Sequence, residues 1–537
     1  MGRISRRAFN RMAVATGALA LAPLAGAQVR FGSPPFQLGV ASGDPSADGF
    51  VIWTRLAPEP FDPSVLGATI FEVAWEVAED AEFTRIAKDG VAWARPHLAH
   101  AVHVEVTGLA PAREFFYRFR IGRYESPTGR ALTCPAAGAT VDAMKFAFAS
   151  CAHYEQGYFS AYRYMAEDRP DLILMLGDYI YEDAWGERRV RQFDPIEAVT
   201  LSDYRRRYTQ YRTDPDLQAA HACCPWLVTW DDHEVDNDYV SMTSEHELCG
   251  GERVRAAFPA RRAAAYQAWF EHMPVRPSRL RPDMAVQIYG SIDWGSLARF
   301  YVLDTRQYRS LQVCPNSPTA MRCDFEKGRK ILFGGAGGAN FIDPNESSCK
   351  AALSDPSRTV LGADQERWLD AALADSGAAW NVLAQNVMVM TVAEGTAESP
   401  RYYSDAWAGY PPARERLLAA LVKSGAANPV VLTGDIHSFW VNEIANAAGR
   451  PVAVELVASS IATATYDKSA VLPLNPGAKF HDGLHNGYVR CELNRERLRT
   501  DIVAIADRAD PRTASKLLAS FDVHSGNSRV VPAEGVE

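Results

Sequence analysis

Four short apolar runs in this chain end abruptly in side chains that packing alone does not require. Phe146-Ala147-Phe148-Ala149-Ser150 gives way to Cys151 and His153, and Leu172-Ile173-Leu174-Met175-Leu176 stops at Gly177-Asp178, with Tyr179, Tyr181, Glu182 and Asp183 close behind. Trp226-Leu227-Val228-Thr229-Trp230 stops at Asp231-Asp232-His233-Glu234-Val235-Asp236-Asn237, and Val430-Val431-Leu432-Thr433-Gly434 at Asp435-Ile436-His437. Continuous apolar runs of this length read as strands covered on both faces, and the helix-compatible stretch Phe159 to Asp168 between the first two makes a βαβ unit. In open α/β sheets, ligands gather beyond the carboxyl ends of the strands. One polar strand end is a turn or a helix cap. Four in succession point to a shared site.

The residue types at those ends restrict what such a site can be. Carboxylates cannot converge in one pocket without mutual repulsion unless cations lie between them. Imidazole, thiolate and phenolate suit a transition metal, whereas carboxylates also suit harder ions such as calcium. Two or more metals sharing a bridging carboxylate bind a phosphate oxygen, lower the pKa of a bound water and present hydroxide in line with a leaving oxygen.

The chain has 537 residues, more than one ordinary core accommodates at roughly 100–200 residues per domain. Its 47% hydrophobic content excludes wholesale disorder, and 56 Lys plus Arg against 65 Asp plus Glu leave no basic footprint for nucleic acid. Residues 1–27 carry Arg3, Arg6, Arg7 and Arg11 and no acid, then a short Ala-rich run to Leu24 and an Ala25-Gly26-Ala27 cleavage pattern. This is an export signal with the paired arginines of the twin-arginine route, too short to span a bilayer, so the mature chain is expected to be periplasmic or extracellular with no transmembrane segment. The twin-arginine export machinery is thereby an expected partner. Nine cysteines would then meet an oxidising compartment; Cys249, Cys314, Cys323 and Cys349 surround a Gly-rich stretch, 333–338, that reads as a stapled surface excursion.

Residues 36–135 differ in style. Phe50-Val51-Ile52-Trp53-Thr54, Phe71 to Val77 and His103 to Val106 are strand-like runs separated by Pro-rich turns, the pattern of an immunoglobulin- or fibronectin-like β-sandwich. The expected organisation is therefore a signal at 1–27, the sandwich at 36–135, an α/β domain at 140–510 and a C-terminal tail or lid at 511–537.

The order Ser-Cys, Gly-Asp-x-x-Tyr, Asp-Asp-His-Glu and Gly-Asp-x-His resembles the PhoD-like alkaline phosphatase family of the calcineurin-like metallophosphoesterase superfamily. Leu38-Gly39-Val40-Ala41-Ser42-Gly43-Asp44-Pro45 followed by Val51-Ile52-Trp53-Thr54-Arg55 is similar to the leading sandwich of that family. The resemblance implies a four-layer α/β/β/α catalytic domain, a ferric ion with calcium, and hydrolysis of phosphoric esters by metal-bound hydroxide. Carried over residue by residue, it implies that Cys151, Asp178, Tyr181 and His437 hold iron, with Asp178 bridging to calcium. Asp232 and Asp435 would serve the calcium side, and His233, with Asp232 beside it, would act on the transferring group. Cys151 and Asp435 replace an Asp and a His of the wider superfamily, which moves the expectation from zinc or manganese towards iron and calcium, although zinc, manganese and magnesium stay open from ligand type. Arg188 and Arg189 are the candidate phosphate-binding residues.

Other residues carry less. His97, His100 and His103 are spaced by three, but Pro96 and the strand beginning near His103 argue against a shared face. Cys223-Cys224 reads as ordinary burial or separate bridges, and His153 as a neighbour of the site. No Gly-x-Ser-x-Gly elbow surrounds Ser459-Ser460. A phospholipase D-type phosphodiesterase on the same site, and a non-catalytic surface-binding protein with a structural metal, are the competing functions.

Overall fold

A computed structural model describes residues 29–186, 189–244, 247–281, 285–313, 323–324, 329–330, 341–344 and 347–533. The strand Leu172–Leu176 shows how its sequence dictates the layers. It runs parallel to Ala143–Ala149 on one side and to Pro225–Thr229 on the other, with Leu172 opposite Phe146 and Ile173 opposite Trp226. Because successive side chains alternate between faces, Ile173 and Met175 enter one core with Tyr162 and Met165, while Leu172, Leu174 and Leu176 enter a second with Phe300 and Val382. That second core lies between two sheets. The other sheet, which contains Ala298–Val302, Trp380–Ala384 and Pro429–Thr433, is packed on its far side by Leu369 and Leu373 of the helix Gly362–Ala374 and Leu417 and Leu421 of the helix Pro411–Ser424. The result is the four-layer α/β/β/α order that the family resemblance implies.

Helices on the outer face of the first sheet are set by local signals. Leu201–Arg212 starts with a capping box, Thr200 and Asp203 each satisfying the other's backbone N–H, and turns Tyr204, Tyr208 and Tyr211 into the core at helical spacing. Among the described residues no helix is long and apolar enough to cross a membrane.

The first sheet has ten strands and reaches beyond the α/β region at both ends. Val40–Ser46 joins it by pairing in parallel with Pro225–Thr229, and Gly49–Arg55 and Ala101–Val106 follow antiparallel. These three strands also form one half of the N-terminal sandwich, whose other half is a five-stranded sheet containing Phe71–Ala78, Ile86–Ala94 and Glu114–Ile121. Val40, Phe50, Ile52, Val73, Tyr117 and Phe119 pack between them, and Val29 and Phe31, ahead of residue 36, lie against the same core. The join requires glycine: a Cβ on Gly43 would sit 2.4 Å from the Pro274 carbonyl oxygen and 2.7 Å from that of Trp226.

The C-terminal expectation is corrected. Residues 515–524 and 530–532 are the last two strands of the ten-stranded sheet, so the described part of 511–533 is an edge of the scaffold rather than a lid. The misreading has a local cause: Ser515–His524 mixes exposed and buried residues and pairs across a bulge, which blurs its alternation. The Gly-rich stretch 333–338 lies outside the described residues. Cys349 is disulfide-bonded, whereas Cys134, Cys151, Cys223, Cys224 and Cys491 are thiols.

A buried ion pair ties the sandwich strands to the α/β domain. Asp44, 4% exposed, takes two guanidinium hydrogen bonds from Arg279, at 2.7 and 2.8 Å, and one from the Arg276 backbone at 2.8 Å. Burial alone would raise the Asp44 carboxyl; Arg279 outweighs it and holds the group below the usual range. Asp44→Asn leaves Arg279 without its counter-charge and is expected to cost about 3 kcal/mol in urea unfolding at pH 7. The stabilisation is complete above the ordinary unfolded carboxylate pKa of about 4 and disappears as pH falls through the lower folded value. Wild type and variant should therefore converge in strongly acid solution, and a gap that persists there would contradict the assignment.

Candidate metal centre

Four strand ends, three from the first sheet and one from the second, deliver the polar residues to one place. Ala143–Ala149 leads to Cys151, Leu172–Leu176 to Asp178 and Tyr181, Pro225–Thr229 to Asp231, Asp232 and His233, and Pro429–Thr433 to Asp435 and His437. Each turn is sharp. Cys151, Asp178, Asp435 and His437 all have left-handed backbone, with φ of 60, 52, 64 and 52°. Non-glycine residues there cost on the order of 1 kcal/mol or more each, and such strain clusters where a side chain must be re-aimed. Gly177, φ 94°, explains the Gly-Asp pair: its Cβ would lie 2.4 Å from Asp231 Cβ and 2.8 Å from Asn386 Nδ2. Gly177→Ala is expected to spread the strand ends and to cut turnover at least a hundredfold; near-normal turnover would show that this close approach is not needed.

The donor atoms form three overlapping groups. Cys151, Asp178 and His437 make the first, Asp178, Asp232 and His233 the second, and Asp231, Asp232 and Asp435 the third, the candidate atoms of each lying within 4.8 Å of one another. Asp178 is common to the first two and Asp232 to the last two. Asp178 Oδ2 is 3.4 Å from Cys151 Sγ and 3.2 Å from the Tyr181 hydroxyl, which is itself 3.1 Å from His437 Nε2. All six residues expected as metal ligands thus belong to this one cluster.

Its electrostatics fit cations. Burial, followed by the charge of Asp178, pushes the Cys151 thiol well up; burial, followed by Asp232, does the same to Asp178, and burial with Asp231 and Asp232 to Asp435. Burial also lowers His437 to about 3, leaving it neutral and able to ligate. Asp231 Oδ2 and Asp232 Oδ1 are buried with no hydrogen-bond partner. Buried acceptors without donors are rare in folded proteins. Thiolate, phenolate, imidazole and carboxylates together supply both the soft and the hard donors that a mixed metal centre uses.

Several contributors were passed over in the sequence reading. Glu234 accepts backbone hydrogen bonds from Asp178, Tyr179 and Asp231 at 3.0, 2.6 and 2.8 Å, locking two strand ends together; burial lifts it to about 8. Glu182 Oε2 lies 2.7 Å from His233 Nδ1. Burial opposes the His233 imidazolium, but Glu182, Asp232 and Asp178 outweigh it and hold the proton well above the usual histidine range. Arg306, fully buried, contacts Asp231, approaches Asp232 at 3.6 Å and pairs with Asp405 at 2.7 Å. The Thr463 hydroxyl is 3.2 Å from that of Tyr181 and donates to the Cys151 carbonyl at 2.8 Å. Arg306 follows the strand Ala298–Val302, so the strand-end rule would have found it had that run been read as a strand. No local signal marks Thr463 or Asp405.

Among the described residues, the remaining candidates supply no donor atom to these three groups. Arg188 is outside the described residues. Arg189 donates to the Gly186 carbonyl at 3.3 Å and faces Glu155 at 3.6 Å. His153 is buried against Tyr181, ring centroids 4.6 Å apart, with both nitrogens unpartnered. Of the spaced histidines, His103 bonds the Phe270 and Met273 carbonyls and His100 that of Thr69.

Comparison with known proteins agrees with this architecture. The model of the PhoD-like phosphatase family matches residues 146–502, and that of the PhoD-like phosphatase N-terminal domain matches residues 21–135. Alkaline phosphatase D of Bacillus subtilis (strain 168) is 42% identical over 506 residues, spanning 91% of this chain and 81% of that protein. A solved structure described as that of PhoD superposes with a TM-score of 0.85 at 39% identity, covering 95% of this chain and 94% of the other. With its two family regions matched in order and its fold shared almost end to end, the chain belongs to the PhoD-like phosphatase family and is a phosphatase.

Proposed function

We propose that this protein is an exported phosphoric ester hydrolase working at a mixed ferric and calcium centre. The observation that carries the reading is the sharing of Asp178: its carboxylate belongs at once to the Cys151–His437 group and to the Asp232–His233 group, the arrangement a bridging ligand needs. Cys151, Tyr181 and His437 would hold iron, and Asp232 and Asp435 calcium, with Asp178 between them. Bound there, such ions would supply Lewis acidity that activates water and offsets the charge of phosphate oxygens.

The rest of the chemistry belongs to side chains. His233 has Nδ1 engaged by Glu182, so Nε2 is the atom from which it would protonate the leaving oxygen. Arg306 offsets part of the acidic charge from behind Asp231 and Asp232, and Glu234 holds both strand ends in register. Arg188 and Arg189 would assist from the loop after Tyr181. The arginine-paired leader 1–27 supports export.

The test uses natively exported protein. Hydrolysis of a phosphomonoester and a phosphodiester should be lost on exhaustive chelation and should return with iron plus calcium. Full turnover in chelated protein would remove the metal from the chemistry, and turnover restored by zinc alone would replace the assigned ions.

A further inference from the structure

Two aromatic rings flank His437 and have no part in the chemistry described so far. The Trp185 ring lies 6.2 Å from the imidazole with planes 9° apart, and the Tyr466 ring 5.6 Å away with planes 13° apart. The imidazole edge is committed to the centre through Nε2, so these rings lie along its flanks rather than among the ligands. Tyr466 is fixed there by its backbone, whose N–H donates to the His437 carbonyl at 3.4 Å. It is nevertheless 46% exposed. The backbone on its C-terminal side is packed closely by the turn at Gly483, where a Cβ would come within 2.2 Å of the Tyr466 carbonyl oxygen and 2.4 Å of the Asp467 Cα. A buried, acidic centre gains nothing from a half-exposed aromatic ring against its histidine, whereas the organic part of a substrate does.

Resting on the phosphoesterase reading of this centre, we propose that Tyr466 and Trp185 select esters whose alcohol carries a planar aromatic ring close to phosphorus. The ring of such a leaving group stacks on the exposed face of Tyr466, in the orientation that Tyr466 and Trp185 already share with His437. Offset aromatic pairs of this kind change an affinity or rate about three- to tenfold beyond simple burial.

The experiment compares benzyl phosphate with n-hexyl phosphate, alcohols of similar acidity and apolar bulk, on the metal-loaded enzyme. Wild type should prefer the benzyl ester in kcat/KM by about fivefold or more. Tyr466→Phe should keep that preference, and Tyr466→Leu, which retains apolar bulk without a ring, should lower it to near one. A preference unchanged in Tyr466→Leu overturns the proposal, as does the absence of any preference in wild type. Calorimetric binding of benzylphosphonate against hexylphosphonate reads the same contact without turnover. A binding preference abolished by Tyr466→Leu in a protein that hydrolyses neither ester would sustain the aromatic rim and count against the phosphoesterase reading alone.

Discussion

Asp178→Asn is expected to lower kcat/KM on any phosphoric ester by at least about a thousandfold, or roughly 4 kcal/mol of transition-state stabilisation. The substitution is chosen because it changes little else. Asparagine is isosteric with aspartate and tolerates left-handed backbone, which Asp178 adopts at φ 52°. The backbone N–H donated to Glu234 at 3.0 Å is untouched. What disappears is the negative charge that Asp178 offers to two donor groups together, with one of the two acceptor oxygens that face the Tyr181 hydroxyl and the His233 backbone N–H. The same logic gives an opposite sign for stability. Without ions, a carboxyl buried beside Asp232 is a liability, so chelated Asp178→Asn should unfold at the same urea concentration as chelated wild type or a higher one. With ions present, wild type should be the more stable of the two, because only its folded state binds them fully. A variant that loses activity and also unfolds early in the chelated state would mean that Asp178 matters for folding instead.

His233→Ala is expected to lose about 100- to 10,000-fold in kcat while keeping its metals. The loss should depend on the alcohol. A nitrophenolate leaves without help, so its ester should suffer least; an alkoxide needs the proton, so an alkyl ester should suffer most. Glu182→Gln should show a weaker version of the same pattern, since Glu182 Oε2, 2.7 Å from Nδ1, heads the carboxylates that keep the imidazolium charged. Equal losses on both esters would assign His233 to holding the phosphoryl group rather than protonating the leaving oxygen. Benzyl and hexyl alcohols are of similar acidity, so this effect leaves the comparison at Tyr466 undisturbed.

The parts of this molecule that were legible in its sequence are those fixed by short-range rules. Continuous burial of Leu172–Leu176 required cover on both faces, and the polar residues after each such run marked the carboxyl edge. That pointed the strand ends at a shared site, and the family resemblance singled out Cys151, Asp178, Tyr181, Asp232, Asp435 and His437 among them, which lie in one cluster. What could not be read depended on register between distant segments. Nothing near Ser42 announces that it will pair with Pro225, and so the sandwich was separated from a sheet with which it is continuous. Arg306 escaped because the strand before it, Ala-Arg-Phe-Tyr-Val, carries Arg299 near its start and does not read as an apolar run. Thr463 reaches Tyr181 only because the turn after one sheet packs against the turns of the other. The C-terminal strands pair antiparallel at an edge, where half-exposed residues weaken the alternation on which a strand assignment rests.

Metal content read together with the visible spectrum separates this account from its rivals. Natively exported protein should contain iron and calcium in near-integral amounts per chain and should be coloured, because phenolate and thiolate donate charge to ferric ion. Cys151→Ala should lose most of its iron, and Tyr181→Phe should lose or strongly shift the band while remaining folded. Active wild-type protein that is colourless and free of iron would contradict the assignment of Cys151, Tyr181 and His437 to a ferric site.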